Sequence, residues 1–212
     1  MRITNETLST WFRGVAEIMA EQCDLLCEMD AKMGDGDLGI TMKKGFGALP
    51  DLIDEIDEPD MGKRLMKAGM KMASVVPSTM GTLMSSGVMS GGKAIAGLSE
   101  LDAAGYLRYL EGFCSGIEKR GKCSRGDRTV LDAIATAAER LDGALSANPA
   151  LSLEEAEKVA VEGAREGVEA TKSMVPKFGK AAVHKAAAEN TADQGACAGL
   201  YMLIGYAGKD IK

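Results

Sequence analysis

Residues 5–28, NETLSTWFRGVAEIMAEQCDLLCE, decide the fold. Leu8, Trp11, Phe12, Val15, Ile18, Met19 and Leu26 recur at steps of three and four, the spacing that places side chains on one face of a helix. A half-buried strand would need apolar residues at every second position, and no such alternation runs through the stretch. The spacing predicts one amphipathic helix over 5–28, whose apolar face must be covered by other elements.

Working outward, a glycine-rich break follows at Gly34 to Gly39, then a shorter helix from Ile40 to Leu49 that stops at Pro50, with an acidic loop beyond. The same periodicity predicts helices over Met61 to Ser74, Thr82 to Ile95, Asp102 to Lys119, Thr129 to Leu145, Leu153 to Thr171 and Gln194 to Tyr206. The count reaches eight. Ser152 with Glu155 three residues on has the form of a capping box, and Asp193 stands where an N-cap would open the last helix. With 46% hydrophobic residues but only 4% aromatic ones, and 14 methionines, the core must be built from straight, flexible side chains that favour helices. These features predict an all-α antiparallel bundle, with residues 1–212 forming one domain.

A net charge of −6 with no basic stripe argues against nucleic acid as a partner. No apolar run reaches the roughly 18 residues needed to cross a bilayer, and the N-terminus has no signal core, so the expectation is a cytoplasmic protein with no membrane partner. The cysteines, Cys23, Cys27, Cys114, Cys123 and Cys197, are odd in number and scattered, which fits buried thiols in a reducing compartment.

Three breaks stand immediately before helices: Gly34-Asp35-Gly36-Asp37-Leu38-Gly39, Pro77-Ser78-Thr79-Met80-Gly81-Thr82, and Gly121 to Thr129. Helix N-termini present unpaired N–H groups and partial positive charge, so alternate loops gathered at one end of a bundle would form a cradle for phosphates. Gly34, Gly36 and Gly39 match the spacing of a dinucleotide loop, but that loop follows a strand, and here a helix comes first. Asp35 and Asp37 would also meet a pyrophosphate with like charge, at about 4 kcal/mol per close pair at intermediate dielectric. A cation must intervene. The spacing is not that of a calcium loop, because the twelfth position counted from Asp35 is Phe46 and the glycine at position six is missing. Three carboxylates within eight residues, Asp30, Asp35 and Asp37, are hard oxygen ligands suited to Mg²⁺ shared with substrate phosphates. The competing reading makes them helix caps in a solvated turn.

Asp30, Gly34-Asp35-Gly36-Asp37, Gly39 and Met42 resemble the nucleotide-binding L subunit of dihydroxyacetone kinase, the DhaL family. Gly126-Asp127-Arg128-Thr129 with Leu131-Asp132, and Gly179-Lys180-Ala181 followed by Asp193-Gln194-Gly195-Ala196, resemble two further signatures of that family. The resemblance implies a barrel of eight amphipathic antiparallel helices with ADP or ATP bound at one end through two Mg²⁺ ions. It places the metal ligands on Asp30, Asp35 and Asp37. It places nucleotide contacts on Leu38, Gly39, Ile40 and Thr41, on Thr79 and Met80, on Gly121, Val130 and Lys180, and on Asp193, Gln194 and Gly195; Gly121 and Val130 would give adenine a small apolar slot. The chain departs from the usual pattern where Leu38-Gly39-Ile40-Thr41 replaces His-Gly-Thr-Asn, where Lys180 replaces arginine, and in the loop Pro77 to Thr82, where the hydroxyls of Ser78, Thr79 or Thr82 would substitute and Gly81 is a further expected nucleotide contact.

By the same resemblance the chain is half of a phosphotransferase. It would present the γ-phosphoryl group to dihydroxyacetone or a related small ketose held on a separate DhaK-type subunit, with positioning and charge neutralisation carrying the catalysis and no catalytic side chain of its own. The phosphoryl donor is either exchanging ATP or a DhaM-type phosphohistidine protein of the sugar phosphotransferase system that recharges bound ADP. The single histidine, His184, lies in an alanine-rich stretch and reads as a packing or surface residue. Two competing functions are the nucleotide domain of a fatty-acid-kinase-like system and a regulatory nucleotide-binding protein without turnover.

Overall fold

The computed structural model describes residues 3–183 and 190–208. Among these the chain is all-α, with nine α-helices, one turn of 3-10 helix and a two-residue antiparallel strand pair. The helices are α1 (Leu8–Glu21), α2 (Cys23–Ala31), α3 (Leu38–Asp54), α4 (Met61–Val75), α5 (Thr79–Ala94), α6 (Ala103–Gly121), α7 (Val130–Ala147), α8 (Leu153–Thr171) and α9 (Gln194–Ala207). The strands are β1 (Ile3–Thr4) and β2 (Glu100–Leu101), with Ile3 opposite Leu101. His184 lies outside the described residues.

Neighbour packing runs from α1 to α3, then in chain order from α3 through α9, and α9 returns to α1, so eight helices close a ring around one hydrophobic core. The remaining helix, α2, lies against α3. Because successive helices run up and down, the connections alternate between the two ends of the ring.

Three expectations are corrected. The stretch 5–28 is two helices, broken at Gln22, which has φ −93° and ψ 5°. Nothing in the local sequence forces that break; it accompanies close packing. Gly39 of α3 rests on the first turn of α2 so closely that a Cβ there would stand 1.9 Å from the Cys23 carbonyl oxygen. The bend redirects α2 and carries Asp30, in its last turn, to the end of the ring. Second, α3 runs through Pro50 to Asp54. An interior proline costs about 3 kcal/mol, but continuing the helix carries Ile53, and Ile56 just past its end, into the core, at roughly 1.5–3 kcal/mol each. Burial wins. Third, α5 starts at Thr79, three residues earlier than the periodicity indicates, because Ser78 caps it by accepting a hydrogen bond from the Gly81 amide at 3.0 Å. The two cap signals hold: Ser152 with Glu155 forms the capping box and Asp193 is an N-cap, while Asp102 and Thr129, expected as first helical residues, are the N-caps one residue outside their helices.

Candidate functional site

Four connections meet at one end of the ring and enclose an open cleft of about 490 Å³. They precede α3, α5, α7 and α9. The N-cap and the first residue of each of these helices line the cleft: Asp37 and Leu38, Ser78 and Thr79, Thr129 and Val130, Asp193 and Gln194. Four helix N-termini therefore converge on one space, each carrying roughly half a positive charge. An anion with several oxygens is what such an arrangement suits.

The wall formed by the α2–α3 loop is acidic. Asp30 is 9% exposed, and its Oδ2 accepts hydrogen bonds from the amides of Gly36 at 2.9 Å and Asp37 at 3.2 Å. These bonds pull the loop back into a tight turn, which Gly36 permits through φ +74°. Gln194 Nε2 donates to Asp30 Oδ1 at 3.3 Å, tying the start of α9 to the acidic loop. Asp37 occupies the N-cap of α3, yet its side chain makes no capping hydrogen bond, unlike Asp60, Asp102 and Asp193 at their own helices. Its carboxylate is left at the cleft, exposed, which favours the ligand reading over the cap reading. Asp35 is also exposed and pairs with the ammonium of Lys180 from the α8–α9 connection.

Among the described residues, no three His, Cys, Asp or Glu side chains already converge as a cage for a metal ion. The three carboxylates instead stand along one wall, with Asp35 turned to a lysine ammonium that takes the place of a cation beside it. All-oxygen donors spread along a cleft fit Mg²⁺, which retains waters and takes further ligands from phosphates, better than an ion needing a closed protein cage.

The cleft brings together Asp30, Asp35, Asp37, Leu38, Thr41, Ser78, Thr79, Met80, Val130, Lys180, Asp193, Gln194 and Gly195. Gly121 and Thr82 lie in an adjoining hollow of about 750 Å³ that shares Ser78, Thr79, Leu83, Phe178 and Gly179 with the cleft. The other three expected contact residues stand off the lining: Gly39 is packed on Cys23, Gly81 on the Val76 carbonyl oxygen, and Ile40 is 55% exposed. Sequence reading did not single out Met33, Leu83 or Phe178. For Phe178 a signal existed. It is one of four phenylalanines, and it sits beside a glycine, two residues before Lys180.

Asp193 is buried under the cleft floor. Burial raises its carboxyl to about 6, against the lowering effect of the Ala196 amide it accepts from and of the nearby Arg128 guanidinium. Cys123, in the adjoining hollow, is likewise held above the usual thiol range by burial.

An all-helical ring with four helix N-termini and a run of carboxylates at one mouth is a recurring class of domain. The DAK2 domain model matches residues 32–208, and the chain belongs to that family, as a DhaL-type member. It is 34% identical over 122 residues, 58% of this chain and 61% of the relative, to a Listeria innocua protein named PEP-dependent dihydroxyacetone kinase 1, ADP-binding subunit DhaL. It is 24% identical over 203 residues, 96% of each chain, to the corresponding ADP-binding subunit of Escherichia coli. Its fold matches the dihydroxyacetone kinase of C. freundii, solved with AMP-PNP and Mg²⁺, at a TM-score of 0.70 and 21% identity, covering 98% of this chain and 34% of that one. The chain thus spans about a third of the solved kinase. No helix among the described residues is long and apolar enough to cross a membrane.

Proposed function

We propose that residues 1–212 form one nucleotide-binding domain whose cleft holds ADP or ATP with two Mg²⁺ ions, serving as the phosphoryl-presenting subunit of a kinase for dihydroxyacetone or a related small ketose. The observation that carries the reading is the convergence of four helix N-termini on a cleft whose facing wall bears Asp30, Asp35 and an uncapping Asp37. A polyphosphate suits the first element and is repelled by the second, so the two are compatible only with cations between them. The names of the Listeria and Escherichia relatives, both ADP-binding subunits, support the same reading.

In this proposal the carboxylates of Asp30, Asp35 and Asp37 hold the magnesium, and the amides opening α3, α5 and α9 hold phosphate oxygens. Lys180 is released from Asp35 to meet the phosphates as a point charge. Gly121 and Val130, with Phe178 near them, give the base an apolar seat. Bound magnesium would neutralise charge on the transferred group; the side chains and amides would fix its position. The sugar belongs on a separate K-type subunit facing the open mouth. The PEP-dependent names of these relatives favour a bound ADP recharged by a phosphohistidine partner over free exchange with ATP.

Calorimetric titration of ADP with Mg²⁺ tests the reading. Asp35→Ala and Asp37→Ala should each abolish magnesium-dependent binding with the helical circular dichroism unchanged. Wild-type affinity in both variants would overturn it.

A further inference from the structure

The motif Gly126-Asp127-Arg128-Thr129 gives only Thr129 to the cleft lining. Asp127 and Arg128 are buried, 6% and 3% exposed, and are spent elsewhere. Arg128 holds φ +62°, a left-handed conformation that costs a non-glycine residue about 1 kcal/mol or more. From there its Nη1 donates to the Met174 carbonyl oxygen at 3.2 Å, and its Nη2 donates to the Thr191 carbonyl oxygen at 2.9 Å and to Thr191 Oγ1 at 3.1 Å. Asp127 accepts from the Ser124 amide at 2.7 Å and pairs with the Lys177 ammonium, while the Lys177 amide donates to the Asp127 carbonyl oxygen at 3.3 Å.

Met174 and Lys177 stand at the entry of the α8–α9 connection, and Thr191 stands at its exit. Between entry and exit lie Phe178, Gly179 and Lys180, which line the cleft; Asp193 and Gln194 follow the exit directly. A buried arginine, bonded through its guanidinium to two main-chain carbonyls and carrying an Nε with no hydrogen-bond partner, is a poor device for stability alone. It is a good device for fixing where both ends of a segment stand.

Resting on the nucleotide reading above, we infer that Arg128, with Asp127, is a positioning residue that sets nucleotide affinity by holding Phe178 and Lys180 against the cleft without touching the nucleotide. Its effect must then pass through those two side chains, which a double-mutant cycle detects.

The experiment measures the ADP–Mg²⁺ dissociation constant of the full chain, wild type and Arg128→Met, in the native background and in a Lys180→Ala/Phe178→Ala background, with thermal melting of each. Arg128→Met should weaken binding about ten-fold in the native background and less than about two-fold in the other, with Arg128→Lys restoring part of the loss. Unchanged affinity with a lowered melting temperature makes Arg128 a fold staple only and overturns the inference. A ten-fold loss that persists in the double-alanine background also overturns it. Should Arg128→Met not fold, Arg128→Lys carries the same cycle: a loss of about three-fold confined to the native background is expected, and none, or an equal loss in both backgrounds, overturns it. A wild type that fails to bind ADP–Mg²⁺ refutes the nucleotide reading itself, a result distinct from wild-type binding with an indifferent Arg128.

Discussion

The two ends of the helical ring receive four helix N-termini each and cap three of the four, but differ in what surrounds the fourth. At the end away from the cleft, α4, α6 and α8 open on Asp60, Asp102 and Ser152, each accepting a first-turn amide, while β1 and β2 pair across α1 and α6. Asp60 also accepts from the Gly97 amide at 2.9 Å, and Arg64 donates to the carbonyl oxygens of Ile53 and Asn5, both at 2.8 Å. Beneath these loops the ring is plugged by Trp11, Phe12, Tyr106, Tyr109 and Tyr206, with Trp11 stacked on Tyr206 at 4.1 Å. At the cleft end Phe178 is the one aromatic among the described residues lining the space, and the Asp37 carboxylate at the head of α3 caps nothing. At the plugged end the N-cap residue that leaves its helix uncapped, Thr7, is spent on the Thr4 amide at 2.9 Å, whereas at the cleft end the Asp37 carboxylate stands at the space. A carboxylate at an N-cap position is informative when it does not cap.

The sharpest way to break this contrast is at the plugged end, where α1 and α9 close the ring. Gly14 and Gly205 touch backbone to backbone: a Cβ on Gly205 would stand 2.4 Å from Val15 Cα, and one on Gly14 would stand 2.3 Å from the Gly205 carbonyl oxygen. A larger residue gains up to about 1 kcal/mol of helix propensity over glycine, but main chain cannot step aside. Gly205→Val should cost about 3 kcal/mol or more through overpacking, read as a fall in the urea midpoint. A midpoint within error of the wild type would show that ring closure is looser than the plug implies.

The same contrast explains what could be read in the chain beforehand. Helices whose signals are local are legible: Leu153 to Thr171 is exact, and Ser152 and Asp193 announce their own helix starts. The break at Gln22 is not, because it arises where Gly39 meets Cys23 from another helix. Pro50 does not stop its helix, since a local rule cannot see that Ile53 and Ile56 are needed in the core. In the cleft, the loops before α3 and α7 carry their glycines and aspartates openly. Phe178, Met33 and Leu83 reach the same space only because the ring closes, and no spacing along the chain encodes that meeting.

A smaller effect sharpens the plugged end further. Glu157 is 8% exposed and accepts a 2.8 Å hydrogen bond from Trp11 Nε1 within the aromatic cluster. Burial raises its carboxyl from 4.5 to about 7, against the lowering effect of that bond. A folded value above the unfolded one means that the stability from this group is full below about pH 4.5 and is lost as pH rises through about 7. Glu157→Gln keeps an oxygen for Trp11 and removes the titration, so at pH 8 the variant should be the more stable by on the order of 1–2 kcal/mol, with the difference vanishing toward pH 4.5. Asp193, raised to about 6, is common to both proteins and cancels in the comparison. Parallel urea titrations across this range check it; stability curves of the same shape would mean that Glu157 is solvated.

The smallest effect separates stability from binding. Ser152 accepts from the Glu155 amide at 3.3 Å, and Glu155 Oε2 accepts from the Ser152 amide at 2.9 Å, all at an exposed helix start remote from the cleft. Removing the hydroxyl leaves one first-turn amide to water, so Ser152→Ala should cost about 1 kcal/mol, which lowers the melting temperature of a chain this long by roughly 2–4 °C. Because both ends share the ring but only one faces the ligand, ADP–Mg²⁺ affinity at 25 °C should stay within two-fold of the wild type, on the order of 0.4 kcal/mol. Equal losses in melting temperature and affinity would mean that the two ends are mechanically coupled through α8, and the division of labour between them would fall.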